Sequence, residues 1–280
     1  MRLGTRPEPT PPADLAEALR RGAAGLGHRP AVTVLHPGVR YEQSGASLAN
    51  WAAKGAHLLA LDHHLGPGDT VGLSAPACWT TASVALAAWW LGAVVRLDAP
   101  AAPGTDVVDG PDEVGAAPVD AGRAGTAAEV AVHVRHSAPG GRGDAPLDPS
   151  LAHAEAVLVV GDGIDGGPTT PSEVPVWTRE AQPMPDAPPA SAAEGERLAL
   201  VRGASRLTQR EVLALAASLG GSSGVLGVET DRVDPVLALV AAAVRPWIVG
   251  QATVLLRSGV ERDTATAERV SAWCEGAGNG

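Results

Sequence analysis

The 280-residue sequence contains very little lysine, phenylalanine or cysteine. Lys54 is the only lysine, arginine supplies the rest of the positive charge, and the net charge is −10. Such an acidic chain lacks the basic surface that nucleic acids and anionic membranes require, so both classes of partner are excluded. Phenylalanine is absent and aromatic residues make up 3% of the chain. Leucine, valine, alanine and the seven tryptophans must therefore fill the core.

Two isolated cysteines, Cys78 and Cys274, do not make a disulfide framework. A reducing cytoplasm is therefore the expected location. The N-terminal stretch MRLGTRPEPTPPADLAEALRRG has no apolar centre and does not resemble a signal peptide. The longest apolar run, ASVALAAWWLGAVV, is shorter than the roughly 20 residues needed to span a bilayer. We therefore expect a cytoplasmic protein with no membrane segment.

Strand and helix patterns alternate along the chain, which is typical of an α/β fold with mainly parallel sheets. A helix capped by Asp14 precedes two strands joined at Pro37-Gly38, and Ser44 caps the next helix. A very apolar helix is predicted to begin at Pro76 and to run to Leu91. The predicted strands are PAVTVLH, VRYEQS, TVGLS, AVVRLD, TDVV, AEVAVHV, EAVLVVG, RLALVRG and ATVLLRS.

The last third of the sequence repeats the alternation. TQREVLALAASLG is predicted to be a helix in which Thr208 and Glu211 form a capping box. PVLALVAAAVRPWIVG is predicted to be a helix interrupted at Pro246, and RDTATAERVSAWC a final helix. The predicted organisation is a tail with a short helix (1–28), a first α/β lobe (29–161), an irregular Pro/Gly-rich linker (162–196) and a second α/β lobe (197–280).

Two stretches resemble the N-terminal domain of adenylate-forming enzymes, the superfamily of acyl-CoA synthetases, luciferases and peptide-synthetase adenylation domains. The first is SLANWAAKGAHLLALDHHLGPGDTVGLSAPACWTTASVALAAWWLGAVVRLDAP, in which LGPGD (65–69) and LGAVV (91–95) match that family almost position for position. The second, 197–273, follows the family from its phosphate loop onward. Size and order also resemble a group of short, uncharacterised proteins that carry only this N-terminal part. The resemblance implies stacked α/β lobes with mainly parallel sheets.

The resemblance also defines what an active member would need. The family activates a carboxylate with ATP, using Mg²⁺, a long phosphate loop and a lysine on a C-terminal domain. The phosphate loop is replaced here by Arg202-Gly203-Ala204-Ser205-Arg206, which is too short to encircle a triphosphate. TDRVDPV lacks the family's histidine, Lys54 lies in an early helix, and the adenine, ribose and catalytic-lysine motifs are not found. We therefore expect a truncated, non-catalytic binding or regulatory module with no catalytic residue, cofactor or metal.

Two other functions stay open. The chain could be half of a split ATP-dependent acyl- or aminoacyl-adenylating ligase that another polypeptide completes. Arg202, Ser205 and Arg206 would then contact the phosphates of ATP–Mg. Alternatively, the chain could bind another protein or a small molecule in the cleft between its lobes, where pockets often form.

Two glycine motifs suggest other activities. GDGIDG (161–166) fits the dinucleotide-binding pattern, but the prolines that follow disfavour the helix that such a site needs. GGSSG (220–224) fits a nucleophile elbow with Ser222 as nucleophile, but it follows a helix rather than a strand. We interpret both as loops.

The remaining candidate site residues are histidines, one cysteine and three tryptophans. His63-His64 and the pair His133 and His136 lack a neighbouring cysteine or carboxylate cluster, so neither predicts a metal site. Cys78, near a helix N-terminus, is interpreted as a buried thiol rather than a reactive one. Three tryptophans are interpreted as core or interface residues: Trp79, Trp89 and Trp90.

Overall fold

The computed structural model describes residues 10–97, 130–136, 154, 156–161, 174–221 and 224–275. These residues form two mainly parallel β-sheets with helices packed against them, as the sequence predicts. The predicted strand TDVV lies outside the described residues. The strands are β1 (Pro30–His36), β2 (Val39–Ser44), β3 (Thr70–Ser74), β4 (Val94–Leu97), β5 (Val130–His136), β6 (Ala156–Val160), β7 (Leu198–Arg202), β8 (Ser205–Thr208), β9 (Val225–Glu229), β10 (Thr253–Leu256) and β11 (Val270–Trp273).

The helices connect these strands. They are α1 (Leu15–Leu26), α2 (Gly45–Leu61), α3 (Trp79–Trp90), α4 (Trp177–Ala181), α5 (Gln209–Ser218), α6 (Pro235–Ala243) and α7 (Arg245–Val249), with a 3₁₀ helix at Arg262–Glu268. The predicted caps are confirmed, because the side chains of Asp14, Ser44 and Thr208 each accept a hydrogen bond from a first-turn backbone N–H. The capping box of Thr208 and Glu211 is also present.

Each sheet contains parallel strands and one antiparallel edge strand. The first sheet has the order β11-β9-β10-β1-β2, and the second has the order β6-β5-β3-β4-β7-β8. Only the β1–β2 and β7–β8 pairs are antiparallel. Each sheet therefore takes strands from both sides of the predicted linker, and the division into lobes at residues 161 and 197 stays a prediction.

The chain contains an internal structural repeat. The unit β1-β2-α2-β3-α3-β4 and the unit β7-β8-α5-β9-α6-α7-β10 have the same order of hairpin, helix, strand, helical connection and strand. The hairpin of each unit joins the sheet of the other, because β1 pairs with β10 and β7 pairs with β4. The β7–β8 hairpin is therefore the structural counterpart of the β1–β2 hairpin.

Helix α3 occupies the centre of the core. All of its residues are buried, and it contacts α2, α6 and strands of both sheets. A helix that is apolar on all sides is stable only when it is enclosed in this way. Trp89 is fully buried and Trp79 and Trp90 nearly so, which confirms their interpretation as core residues.

Three local predictions were wrong. Helix α3 begins after Cys78, not at Pro76, because Thr81 bonds to the Cys78 backbone and closes the first turn. Residues of the predicted final helix form the 3₁₀ helix and β11 instead. The segment 177–181, interpreted as part of an irregular linker, is helix α4, whose first residue Trp177 is fully buried.

Candidate functional site

The predicted phosphate contacts lie on the β7–β8 hairpin. Arg202 pairs directly with Ser205, and Gly203 and Ala204 form the two-residue connection between them. Gly203 has φ +55°, which is the left-handed conformation that favours glycine in so tight a turn. The connection is too short to surround a polyanion with successive backbone N–H groups.

Arg202 is already paired with a carboxylate. Its guanidinium forms a salt bridge with Asp234, the N-cap residue of α6. Asp234 also accepts a hydrogen bond from the backbone N–H of Val236 at 2.8 Å. The positive end of the helix and the cation of the hairpin therefore share one protein carboxylate, at the place where a bound anion would compete with it.

The hairpin places Arg206 on the opposite face of the sheet. Directly paired residues of an antiparallel ladder point to the same side, and successive residues alternate. Arg202 and Ser205 therefore share one face, while Arg206 shares the other with Val201. The structure brings two of the three predicted residues together and separates the third.

The counterpart hairpin has the same construction. His36 pairs with Val39 across the two-residue turn Pro37-Gly38, and Leu35 pairs with Arg40. Arg40 thus corresponds in position to Arg206, and its guanidinium bonds to Glu268 at 2.6 Å and also to Glu42. These bonds raise the pKa of Arg40 further above its ordinary value. An arginine next to such a turn therefore serves as an ion-pair partner in the first unit.

The carboxyl end of β9 carries a charged cluster centred on Glu229. Glu229 is 9% exposed and accepts hydrogen bonds from Arg262 at 2.6 and 2.9 Å and from Arg232 at 2.9 Å. Arg262 also lies over the ring of Trp273, 4.5 Å from its centroid. Both carboxylate oxygens of Glu229 are engaged, so this cluster links three structural elements rather than presenting a free acid.

The single lysine, Lys54, connects helix α2 to the segment that follows α4. Lys54 Nζ donates to the carbonyl oxygens of Gln182 at 2.9 Å and Met184 at 2.6 Å, and it lies 2.9 Å from Asp186 Oδ1. Gln182 is the C-cap residue of α4, so the ammonium group lies at the C-terminal end of the helix, where a cation is favourable.

The glycine motifs have different positions. Of GDGIDG, only Gly161 belongs to the described residues, so its interpretation as a loop stays a prediction. Ser222 also lies outside them. Around it, Arg245 is fully buried and donates to the carbonyl oxygens of Leu219 at 2.9 Å and Gly224 at 3.0 Å. Burial lowers the pKa of Arg245. This arginine links Leu219, which precedes the GGSSG motif, to Gly224, the last residue of the motif.

The histidines and Cys78 do not form a metal centre in the described part of the chain. No group of three His, Cys, Asp or Glu side chains within residues 10–97, 130–136, 156–161, 174–221 and 224–275 is placed to hold a metal ion. Burial lowers the pKa of His63. His133 is fully buried in β5, and Cys78 is 6% exposed with its Sγ 2.8 Å from Thr80 Oγ1. Cys78 is a buried thiol, as expected.

Sequence reasoning missed a cavity. It has a volume of about 540 Å³ and lies between α2, the start of α3 and α4. Trp51, Trp79 and Arg179 are among its lining residues. No sequence motif indicates it, because Arg179 belongs to the stretch predicted to be a linker and Trp79 is interpreted as a core residue.

No described helix combines the length and the apolar character that crossing a bilayer demands.

No protein-family model matches the chain. A curated protein of Mycobacterium tuberculosis whose name is only a family designation is 46% identical over 61 residues, which are 22% of this chain and 25% of that protein. The chain therefore matches only a quarter of this relative's length.

The fold matches solved adenylate-forming enzymes. An acyl-CoA synthetase of Brucella canis aligns with 93% of this chain and 50% of its own, with a TM-score of 0.62 and 16% identity. A long-chain-fatty-acid-CoA ligase of Archaeoglobus fulgidus aligns with 95% of this chain and 51% of its own, with a TM-score of 0.63 and 16% identity. The N-terminal subdomain of Klebsiella oxytoca NpsA aligns with 92% of this chain and 59% of its own, with a TM-score of 0.55 and 12% identity. The chain spans about half the length of these structures.

Proposed function

Because the chain has the fold of the N-terminal domain of adenylate-forming enzymes, we propose that it acts as a binding or regulatory module that does not itself form an adenylate. A reducing cytoplasm is the proposed location, which the two free, buried cysteines support. Its ligand would be a small molecule or another protein rather than ATP.

The single observation that carries this proposal is the arrangement of the β7–β8 hairpin. Adenylate formation depends on preorganised cations and N–H groups that converge on the phosphates. Here Arg202 pairs with Asp234, and Arg206 points to the other face of the sheet. In the β1–β2 hairpin, which has the same two-residue turn, the arginine at the corresponding position forms ion pairs with Glu268 and Glu42, and this supports a structural role for the β7–β8 hairpin.

ATP–pyrophosphate exchange with mixed carboxylic acids tests the proposal. The purified chain is expected to give no exchange above background and no thermal shift with ATP–Mg. Asp234→Asn keeps an N-cap side chain but removes the charge that occupies Arg202. If the Asp234 carboxylate blocks phosphate binding, this variant gains weak affinity for triphosphate that Arg202→Gln abolishes in the same background. Clear exchange by the wild-type chain would refute the proposal.

The second candidate is half of a split adenylating ligase. It is favoured by the alignment of more than nine tenths of this chain with about half of each acyl-CoA synthetase. Under this alternative, ATP–Mg is the cofactor, and Arg202, Ser205 and Arg206 contact the phosphates. A co-purified chain carrying the lysine domain should restore exchange, and Arg202→Gln should lower it by about 100-fold, as the loss of one preorganised donor typically does. Unchanged exchange in that variant contradicts the assignment.

A further inference from the structure

The cavity between α2, α3 and α4 has the dimensions of a ligand site. Its volume of about 540 Å³ lies within the range of about 300–1,000 Å³ typical of small-molecule pockets. The 202–206 hairpin contributes no residue to it. The lining side chains that matter for recognition are Gln43, Trp51, Lys54, Arg179, Gln182 and Asp186.

The charges that line the cavity sum to a positive value. Lys54 and Asp186 form a salt bridge and cancel each other. Arg179 adds a cation that forms no ion pair with any residue in the described part of the chain. A positive lining is unusual in a protein whose net charge is −10, and it favours an anionic ligand.

The polar groups that remain available are mainly hydrogen-bond donors. Gln43 Oε1 already accepts a hydrogen bond from the Ser47 hydroxyl, which leaves its amide N–H groups for a ligand. The guanidinium of Arg179 adds further donors, and the side-chain amide of Gln182 adds two N–H donors and one acceptor oxygen. The Lys54 ammonium is already used by two carbonyl oxygens and Asp186. The site therefore suits an acidic group that accepts several hydrogen bonds.

The apolar part of the lining is aromatic. Trp51 and Trp79 lie with their ring centroids 5.7 Å apart and their planes tilted by 48°. Trp79 is 4% exposed and held in the core, whereas Trp51 is only partly buried. A flat ring that enters the cavity can pack against Trp51 in an offset or edge-to-face arrangement.

We propose that this cavity binds a small aromatic anion, with its ring against Trp51 and its acidic group on Arg179 and the neighbouring amides. The acidic group is a carboxylate, sulfonate or phosphate, all of which accept hydrogen bonds from a guanidinium. Arg179 determines the preference for charge, and Trp51 determines the preference for a flat ring.

Calorimetric titration with 2-naphthoate and naphthalene-2-sulfonate tests the proposal, with 2-naphthamide as the neutral control. For ligands of this size, a dissociation constant of about 1 mM or tighter is expected. Arg179→Gln should weaken binding of both anions by about tenfold or more, and Trp51→Leu should weaken them similarly. Arg210→Gln, which removes an exposed arginine outside the cavity, is the matched control and should bind as the wild type does.

Three results would overturn the proposal. The first is no saturable binding of either anion at ligand concentrations tenfold above the expected dissociation constant of about 1 mM. The others are equal affinity of the Arg179 and Arg210 variants for the anions, and binding of 2-naphthamide as tight as that of the anions. Circular dichroism verifies that each variant is folded. Activity in ATP–pyrophosphate exchange would refute the proposed function and would leave this titration unaffected, so the two failures are distinguishable.

Discussion

Replacing the only lysine should release a specific segment of the chain. Residues 182–192, here called the anchored segment, contact Lys54 and His57 of α2 and Trp90 at the end of α3. Lys54 holds two of the segment's carbonyl oxygens, at Gln182 and Met184, and pairs with Asp186. Elsewhere the segment is held by the Trp90 indole, which donates to the carbonyl of Pro189 at 2.8 Å, and by His57 Nε2, which lies 2.8 Å from the Ala187 carbonyl oxygen. The Ser191 hydroxyl and the Ala192 N–H donate to the Trp90 carbonyl at 3.0 and 3.1 Å. Lys54→Met removes the ammonium group and keeps an apolar stem of similar length.

The contacts of Lys54 determine how much its replacement should lower the free energy of local opening. A hydrogen bond with one charged partner contributes about 1.5–3 kcal/mol. The Lys54 side chain is 20% exposed, so water can replace part of each bond, and the lower value of about 1.5 kcal/mol applies to each carbonyl. The ion pair with Asp186, whose side chain is 66% exposed, adds at most about 1 kcal/mol. The free energy of local opening should therefore fall by about 3 kcal/mol.

Native-state hydrogen exchange measures this opening. The amides of Met184 and Ala192 bond to the carbonyl oxygens of Ala181 at 3.0 Å and Trp90 at 3.1 Å and report on the segment. In Lys54→Met they should exchange about 100-fold faster, since each 1.4 kcal/mol is a factor of ten.

Two internal controls accompany this exchange measurement. Lys54→Arg keeps a cation and should change the same rates by less than about tenfold. The amide of Val71 in β3 should remain protected in both variants, because it lies in the second sheet and not in the segment. A change below threefold at Met184 and Ala192 in Lys54→Met would show that Lys54 does not anchor the segment.

Three further predictions concern stability. Gly55→Ala should lower the free energy of unfolding, measured by chemical denaturation, by about 1 kcal/mol. The new Cβ would lie 2.5 Å from the ring of Trp177, and this overpacking outweighs the gain in helix propensity. An increase in the free energy of unfolding would contradict this packing. The hydrogen bond from the Thr208 N–H lowers the pKa of Glu211, so the stability from its charge is present above about pH 4.5 and is lost as the pH falls through the lower folded value. Glu211→Gln should therefore flatten the acid side of the melting-temperature profile, and an unchanged profile would argue against this linkage. Burial raises the pKa of Cys274 above its ordinary value of 9.0, so folding favours the neutral thiol and stability is lost as the pH rises above 9; Cys274→Ala should show a smaller alkaline loss, and an equal loss would contradict it.

Features that depend on neighbouring residues could be predicted from the sequence. Asp14, Ser44 and Thr208 cap their helices because a short polar side chain reaches a backbone N–H only two or three residues away. The α/β fold followed from the alternation of apolar runs and from the LGPGD and LGAVV motifs. The helix caps and the alternating apolar runs are both local patterns, so they can be recognised without knowledge of the tertiary structure.

Features that depend on contacts between distant residues could not be predicted from the sequence. The segment Val270–Trp273 has a helical pattern, yet it pairs with β9 because the ring of Trp273 packs where Gly227 has no side chain. Likewise, no local pattern indicates that Asp234 reaches Arg202, or that Trp51 and Trp79 meet at a cavity. These contacts join residues 28 to 46 positions apart, and only the folded chain brings them together.

The exchange of hairpins between the two units has a consequence for biosynthesis. On the ribosome, β1 and β2 emerge early but cannot complete their sheet until β10, more than 200 residues later, has left the exit tunnel. The apolar strand Pro30–His36 must therefore wait, while the chain up to β10 is synthesised, with one hydrogen-bonding edge unfilled, in the condition that favours aggregation and recruits chaperones. A nascent chain arrested before Thr253 should accordingly remain sensitive to protease, and one released beyond Leu256 should become resistant.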